Sequence, residues 1–231
     1  MSAVLVLPSS LGTDRTLWDA QLEAFSRSFR VIRYELPGRS TMAELGRHAI
    51  GLLDDEGVER TSWCGLSLGG MVGMWLGANA AERIDRLVLA CTAARMPAPE
   101  LYRERAVLVR EQGLEPVADA VVSRWFTPAA PPELPRRFRE LLLGADAEAY
   151  ARCCEALSVW DFRAELSRVT VPTLVLAGSE DQATPADATD LLAARIPGAR
   201  HEVLDGAPHL ANVECSGEFT AAALAHLEGA A

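Results

Sequence analysis

The sequence predicts an α/β fold in which a mostly parallel sheet is flanked by helices. Three observations lead to this prediction. Short apolar runs alternate with segments of helical periodicity, a glycine-flanked serine directly follows one of these runs, and one long stretch without a convincing strand interrupts the alternation. With 231 residues, 49% of them hydrophobic, the chain is long enough to build one sizeable core.

The predicted strands are short apolar runs bounded by polar or turn-forming residues. They are Val4–Pro8, Arg30–Tyr34, Ser62–Gly65, Arg86–Ala90, Thr173–Ala177 and His201–Leu204. Helix signals lie between them. Thr41 and Glu44 form a capping box, and Gly57 ends that helix, while Thr184, Pro185 and Asp187 start another.

The stretch 95–168 differs from the rest of the chain because it has helical periodicity and a proline-rich turn but no strand pattern. We interpret it as a helical cap, inserted into an α/β core that consists of residues 1–94 and 169–231. Ligands of open α/β sheets bind outside the carboxyl ends of the strands, so a cap over these ends would enclose a pocket.

The segment Gly65-Leu66-Ser67-Leu68-Gly69 lies between a predicted strand and a glycine-rich helix. This is the context of a nucleophile elbow, in which a serine sits on a strained strand-to-helix turn and its small neighbours leave room for it. The alternative is an ordinary glycine-rich turn. The context favours Ser67 as a nucleophile and indicates an α/β-hydrolase fold.

A serine hydroxyl needs a base, and the chain offers four histidines. His48 and His226 fall within predicted helices, and His201 begins the last strand at the end of the sheet opposite the elbow. His209 follows the last strand on a loop that can reach Ser67, so we predict that it is the base.

The orienting carboxylate should follow the preceding strand, because the chain order in this fold is nucleophile, acid, histidine. Asp181 and Glu180 compete for the role after Gly178, and Asp205 is a weaker rival close to the histidine. We favour Asp181, because a turn that opens at the glycine projects the third residue from the strand end.

Backbone N–H groups should stabilise the oxyanion that forms during ester hydrolysis. One donor is expected from Leu68, directly after the nucleophile, and the other from the loop after the first strand. Counting from the strand end gives Leu11, with Ser10 as the near alternative.

Composition excludes several classes of function. The net charge of −10 argues against nucleic acid as a partner, and no apolar run is long enough to span a membrane. The chain has no lysine, which excludes Schiff-base chemistry and a Walker-type phosphate loop. Five cysteines without a CxxC pair indicate reduced thiols, so we expect a soluble cytoplasmic protein with no metal or organic cofactor.

Several segments resemble the 3-oxoadipate enol-lactonases, α/β-hydrolases of the β-ketoadipate pathway of aromatic breakdown. They are Ser10–Thr13 with Trp18, Cys64–Met71, Arg124–Pro128, Tyr150–Leu157 and His209–Glu214. The chain differs from this family in two places: it starts almost at the first strand, without the family's preceding hairpin, and the loop Glu35–Ser40 is shortened.

The resemblance implies hydrolysis of an enol-lactone to a 3-oxo diacid, with a small ester or lactone as the only expected partner. Because that substrate carries a carboxylate, Arg124 is a candidate cation and Trp125 a candidate pocket wall. Both residues have alternative roles, Arg124 as a surface group and Trp125 as part of the cap core. Two other functions stay open: hydrolysis of a different ester, thioester or lactone by the same triad, and ligand binding without catalysis.

Overall fold

The structure, a computed structural model, describes residues 3–229, within which six strands form one parallel sheet. The strands are β1 (Val4–Pro8), β2 (Arg30–Tyr34), β3 (Thr61–Leu66), β4 (Ile84–Ala90), β5 (Thr173–Gly178) and β6 (Arg200–Leu204). All six predicted strands are confirmed, and the first two have the predicted bounds. The other four are one or two residues longer than predicted.

The strands are arranged in the order β2-β1-β3-β4-β5-β6. Leu66 pairs with Ala90, and Gly178 pairs with Leu204, so the ends of β3, β4, β5 and β6 lie at one edge of the sheet. Loops that leave this edge can therefore bring together residues that are distant in sequence. We call it the carboxyl edge of the sheet.

The helices within the described residues cover both faces of the sheet and the carboxyl edge. They are α1 (Asp19–Ser26), α2 (Met42–Asp55), α3 (Leu68–Asn79), α4 (Pro99–Gln112), α5 (Glu115–Val122), α6 (Glu133–Leu143), α7 (Ala147–Val159), α8 (Ala186–Arg195), α9 (Ala211–Glu214) and α10 (Ser216–Leu227). In residues 3–229 no helix has the length and apolar character needed to cross a bilayer.

The sheet separates two apolar clusters, because successive strand residues face opposite sides. In β3, Cys64 packs with Trp18 of the α1 side, whereas Trp63 packs with Leu45 and Met71 of α2 and α3. Burial on both faces fixes the register of the central strands and therefore the position of the carboxyl edge.

Four helices, α4 to α7, lie between β4 and β5, within the stretch predicted to be a cap. Helix α4 packs along α7, and α5 packs against α6. Where the chain leaves and rejoins the core, Arg95 forms an isolated antiparallel bridge with Asp161, and the Phe162 N–H donates to the Ala94 carbonyl at 2.7 Å. These contacts tie the two ends of the inserted segment together. We keep the interpretation of 95–168 as a cap.

Two helix starts were predicted from the sequence, and one of them needs correction. At α2 the Glu44 N–H donates to the Thr41 hydroxyl at 3.3 Å, as the capping box predicts. The helix predicted to start at Thr184, Pro185 and Asp187 is present as α8, but it begins at Ala186, with Pro185 rather than Thr184 at the cap position. The Thr184 side chain instead binds Asp181.

Candidate active site

Ser67 occupies a sharp turn between β3 and α3. Its φ of 53° lies in the left-handed region, which an ordinary side chain rarely adopts. The turn is held by the Ser67 N–H, which donates to the Ala90 carbonyl at 2.8 Å, and by the Thr92 hydroxyl, which donates to the Ser67 carbonyl at 2.7 Å. The elbow geometry predicted from the glycine-flanked motif is therefore present.

The glycines around Ser67 are required by close packing, of Gly65 against the Gly69 backbone and of Gly69 against the Pro8 ring. A Cβ on Gly65 would lie 2.2 Å from the Gly69 carbonyl oxygen, and a Cβ on Gly69 would lie 2.8 Å from Pro8. Both distances are too short for real contacts. The turn can therefore bring α3 close to β3 and β1 only because these positions lack side chains.

Asp181 and His209 lie on the loops after β5 and β6 and are both buried. The His209 Nδ1 lies 3.0 Å from Oδ1 and 2.9 Å from Oδ2 of Asp181. Because an ionised carboxylate only accepts hydrogen bonds, we assign the ring proton to Nδ1, which leaves Nε2 free to accept a proton. This is the arrangement that a general base needs.

Other groups on the same loop hold the Asp181 carboxylate in place. The N–H groups of Ala183 and Thr184 donate to Oδ1 at 2.7 and 2.9 Å, and the Thr184 hydroxyl donates to Oδ2 at 2.6 Å. Burial alone would raise the pKa of Asp181, but His209 and the Thr184 hydrogen bonds outweigh it and lower that pKa. Asp181 is therefore ionised at neutral pH.

The rival acids occupy different environments. Glu180 and Asp205 are exposed, whereas the side chain of Asp181 is only 1% exposed. The geometry thus favours Asp181 as the partner of His209.

The other three histidines contact groups outside this pair. His48 Nδ1 lies 2.6 Å from the Tyr34 hydroxyl, and His226 Nε2 lies 3.3 Å from the Pro172 carbonyl. His201 Nδ1 lies 3.5 Å from Asp190 on the neighbouring α8. Of the four histidines, it is His209 that shares a cavity with Ser67.

The loop after β1 distinguishes the two candidates for the second oxyanion donor. The Ser10 N–H already donates to the Thr13 hydroxyl at 2.8 Å, so it is not free for a substrate. Leu11 follows it and lines the cavity that contains Ser67. Leu68 is the first residue of α3, and its N–H therefore has no acceptor within the helix. These observations favour Leu11 and Leu68.

Ser67 and His209 line one narrow cavity, of about 40 Å³, between the carboxyl edge and the inserted helices. The inserted helices contribute Trp125 and Arg124, the two residues predicted to bind substrate. Trp125 is 6% exposed and also packs edge-on against Phe138, so it belongs to the cavity wall and to the apolar core of the insertion together. Arg124 reaches the cavity but is largely exposed.

Three residues near this cavity were not predicted from the sequence. Thr184 was interpreted as a helix cap, although a polar residue three positions after a candidate acid is also placed to bind its carboxylate. Tyr102 and Arg105 on α4 line the cavity but carry no motif. Only the pairing of α4 with α7 in the folded protein brings them there.

The cysteines provide neither a disulfide nor a reactive thiol at this site. All five are free, and Cys153 and Cys154 are buried on α7. Burial raises the pKa of Cys154 to about 12, so its sulfur is a neutral thiol. Residues 3–229 contain no group of three or more His, Cys, Asp or Glu side chains that could hold a metal ion.

Comparison with known proteins places these features in a family. The model described as "Alpha/beta hydrolase family" matches residues 4–223. The chain is 36% identical to 3-oxoadipate enol-lactonase 2 of Acinetobacter baylyi (strain ATCC 33305 / BD413 / ADP1) over 222 residues, which cover 91% of this chain and 83% of the relative.

Two solved structures are similar to this chain over nearly its whole length. The enol-lactonase from Burkholderia xenovorans LB400 is 37% identical with a TM-score of 0.93, over 99% of this chain and 92% of that chain. A hydrolase from Pseudomonas aeruginosa PA01 is 40% identical with a TM-score of 0.93, over 99% of this chain and 91% of that chain.

Proposed function

The chain belongs to the α/β-hydrolase family and is related to enol-lactonases. We propose that it is a serine hydrolase that opens an enol-lactone through an acyl-serine intermediate. The observation that carries the proposal is the buried pair Asp181–His209, which shares one cavity with a strained, elbow-mounted Ser67. The substrate that the relatives suggest is 3-oxoadipate enol-lactone.

In the acylation step, the Ser67 oxygen attacks the lactone carbonyl while His209 Nε2 takes the hydroxyl proton. Asp181 stabilises the imidazolium that forms. The negative charge on the carbonyl oxygen is stabilised by the N–H groups of Leu11 and Leu68. The ring C–O bond then breaks, and the enol oxygen takes the proton from His209.

In the deacylation step, water replaces the leaving oxygen. His209 removes a proton from the water, which attacks the acyl-serine carbonyl, and the same two N–H groups stabilise the second oxyanion. The Ser67 oxygen leaves with the proton held by His209. The sum of both steps adds one water across the ester bond, giving a free carboxylic acid and an enol that tautomerises to the 3-oxo acid.

Steady-state hydrolysis of 3-oxoadipate enol-lactone tests this proposal. We expect Ser67→Ala to lower kcat about a millionfold, because the nucleophile and the base act as one unit. Ser26→Ala, an exposed serine on α1, is the matched control and should keep wild-type turnover. Rapid turnover that survives Ser67→Ala would refute the acyl-serine mechanism.

A second function, hydrolysis of a different ester, thioester or lactone, is supported by a larger space next to the active-site cavity. This space, about 560 Å³, is bordered by the shortened loop at Leu36 and Gly38 and by Leu11 and Leu68. A bulkier acyl or leaving group would fit there beside the proposed oxyanion donors.

A panel of esters, thioesters and lactones distinguishes the two versions. If another substrate has a higher kcat/KM than the enol-lactone and its turnover also requires Ser67, the mechanism stands and the substrate changes. If the folded protein hydrolyses none of them and Ser67 does not react with a fluorophosphonate, the chain is a binding protein with this fold.

A further inference from the structure

Arg105, a half-buried residue on α4, lines the cavity that contains Ser67 and His209. Its guanidinium carbon lies 5.0 Å from the centre of the Tyr102 ring. Within residues 3–229 no carboxylate forms an ion pair with Arg105. By contrast, Arg110 on α4 and Arg152 on α7 are both paired with Glu148. A partly desolvated cation without a counter-ion is costly unless a ligand supplies the negative charge.

The Tyr150 hydroxyl on α7 lies beside the Arg105 guanidinium. Tyr150 itself lines the larger neighbouring space, which shares Ser10, Leu11 and Thr13 with the cavity that contains Ser67. The residue is 3% exposed, and its hydroxyl lies near the Arg105 guanidinium and the Cys154 thiol but meets the geometry of a hydrogen bond with no described group. Buried hydroxyls are nearly always satisfied, so an unpaired one beside a cation indicates a missing acceptor. Burial also raises the pKa of Tyr150, which keeps the hydroxyl protonated as a donor at neutral pH.

The charge at this cavity has the opposite sign to the charge of the whole protein. The net charge is −10, yet the described residues that line the cavity include Arg105 and Arg124 and no Asp or Glu. Asp181 lies behind His209, and its oxygens are occupied by hydrogen bonds from its own loop and from the ring. The cavity therefore favours an anion, and the half-buried Arg105 attracts it more strongly than the exposed Arg124.

We propose that Arg105 and the Tyr150 hydroxyl bind a free carboxylate of the substrate, away from the carbonyl that Ser67 attacks. A guanidinium offers parallel N–H donors that match the two carboxylate oxygens, and the tyrosine hydroxyl adds a third donor. The pair selects esters and lactones that carry a carboxylate. This inference rests on the proposed hydrolase function and assigns its substrate specificity to α4 and α7.

Two matched lactones test the proposal, 3-oxoadipate enol-lactone and the neutral methyl ester of its free carboxyl group. We expect Arg105→Gln to lower the ratio of kcat/KM for the acid over the neutral lactone about 10- to 100-fold, the range for lost hydrogen bonds to a charged group. Tyr150→Phe keeps the ring and should lower the ratio less. Arg103→Gln removes the same charge from an exposed position on the same helix and should leave the ratio as it is.

Two results would overturn the proposal: a ratio of kcat/KM that does not change in Arg105→Gln, whether or not both lactones lose turnover equally, or a larger change of that ratio in Arg124→Gln. Calorimetric titration with adipate separates this failure from failure of the hydrolase function. If neither lactone is turned over but adipate binds at least about tenfold more weakly to Arg105→Gln than to Arg103→Gln, the anion site stands without the chemistry. Equal adipate binding by both variants would refute the site.

Discussion

The carboxyl edge of the sheet and the inserted helices face the same cavity but build their sides of it differently. At the edge, Ser67, Asp181 and His209 each lie on a turn or loop that follows a strand, and backbone hydrogen bonds and missing side chains hold those turns. On the opposite side, Arg105 extends from α4 into the cavity, Tyr150 extends from α7 into the adjoining space, and both contribute only their side chains.

This difference suggests that the two regions have different roles, catalysis at the edge and substrate selection on the helices. Backbone turns locked to a buried sheet place the reacting groups to within the tolerance that the chemistry needs. Helix side chains can change without disturbing those turns, so they are suited to choosing the substrate. We therefore expect substitutions at the edge to lower the turnover of every substrate, and substitutions on the helices to change the preference among substrates.

Asp181→Asn should have the largest effect among the variants that keep Ser67. The amide cannot stabilise the imidazolium and favours the wrong ring tautomer, so we expect kcat to fall about 10⁴-fold for charged and neutral lactones alike. Steady-state kinetics on both lactones measure this. Asp205→Asn, which changes the exposed rival, should stay close to wild type. If Asp205→Asn caused the larger loss, the assignment of the acid would be wrong.

Thr184→Val should have an intermediate effect. It removes the hydroxyl that donates to Asp181 at 2.6 Å, and we expect kcat to fall about 10- to 100-fold with little change in KM. Thr184→Ser should restore most of the activity. Thr189→Val, whose hydroxyl bonds only within α8, controls for the loss of a buried threonine. An equal loss in Thr189→Val would mean that Thr184 acts through stability alone.

Trp125→Phe should have the smallest effect on turnover, and it tests most sharply whether the inserted helices select the substrate. A smaller ring on the cavity wall should change the ratio of kcat/KM between a slim and a bulky ester by about tenfold, while the better substrate keeps its kcat. Trp160→Phe, a buried tryptophan stacked on Phe162 away from this cavity, is the control. A uniform loss of kcat for all substrates in Trp125→Phe would contradict the assignment of substrate selection to the inserted helices.

The two regions also differ in what the sequence could predict. The strands were predicted because buried parallel strands are short apolar runs, and the candidate triad because each member follows such a run in a fixed chain order. Gly65 and Gly69 could also be recognised in the sequence, because only glycine fits at these two positions of the turn.

No sequence motif identifies the cavity residues of the inserted helices. Arg105 and Tyr150 are 45 positions apart in the numbering, and only the packing of α4 along α7 brings them together. Arg124 was chosen because it lies beside Trp125, but neighbours in sequence point in different directions, and Arg124 is the more exposed of the two cavity arginines. Thr184 was interpreted as a cap because threonine serves both roles with the same hydroxyl.

The most direct test of the central claim, a Ser67 nucleophile activated by His209, is labelling with a fluorophosphonate followed by peptide mass spectrometry. We predict a single adduct on Ser67, formed rapidly by the wild type and on the order of a thousandfold more slowly or worse by His209→Ala, because the unassisted hydroxyl is a poor nucleophile. An adduct on another residue, no adduct on folded protein, or equally fast labelling of His209→Ala would contradict the account.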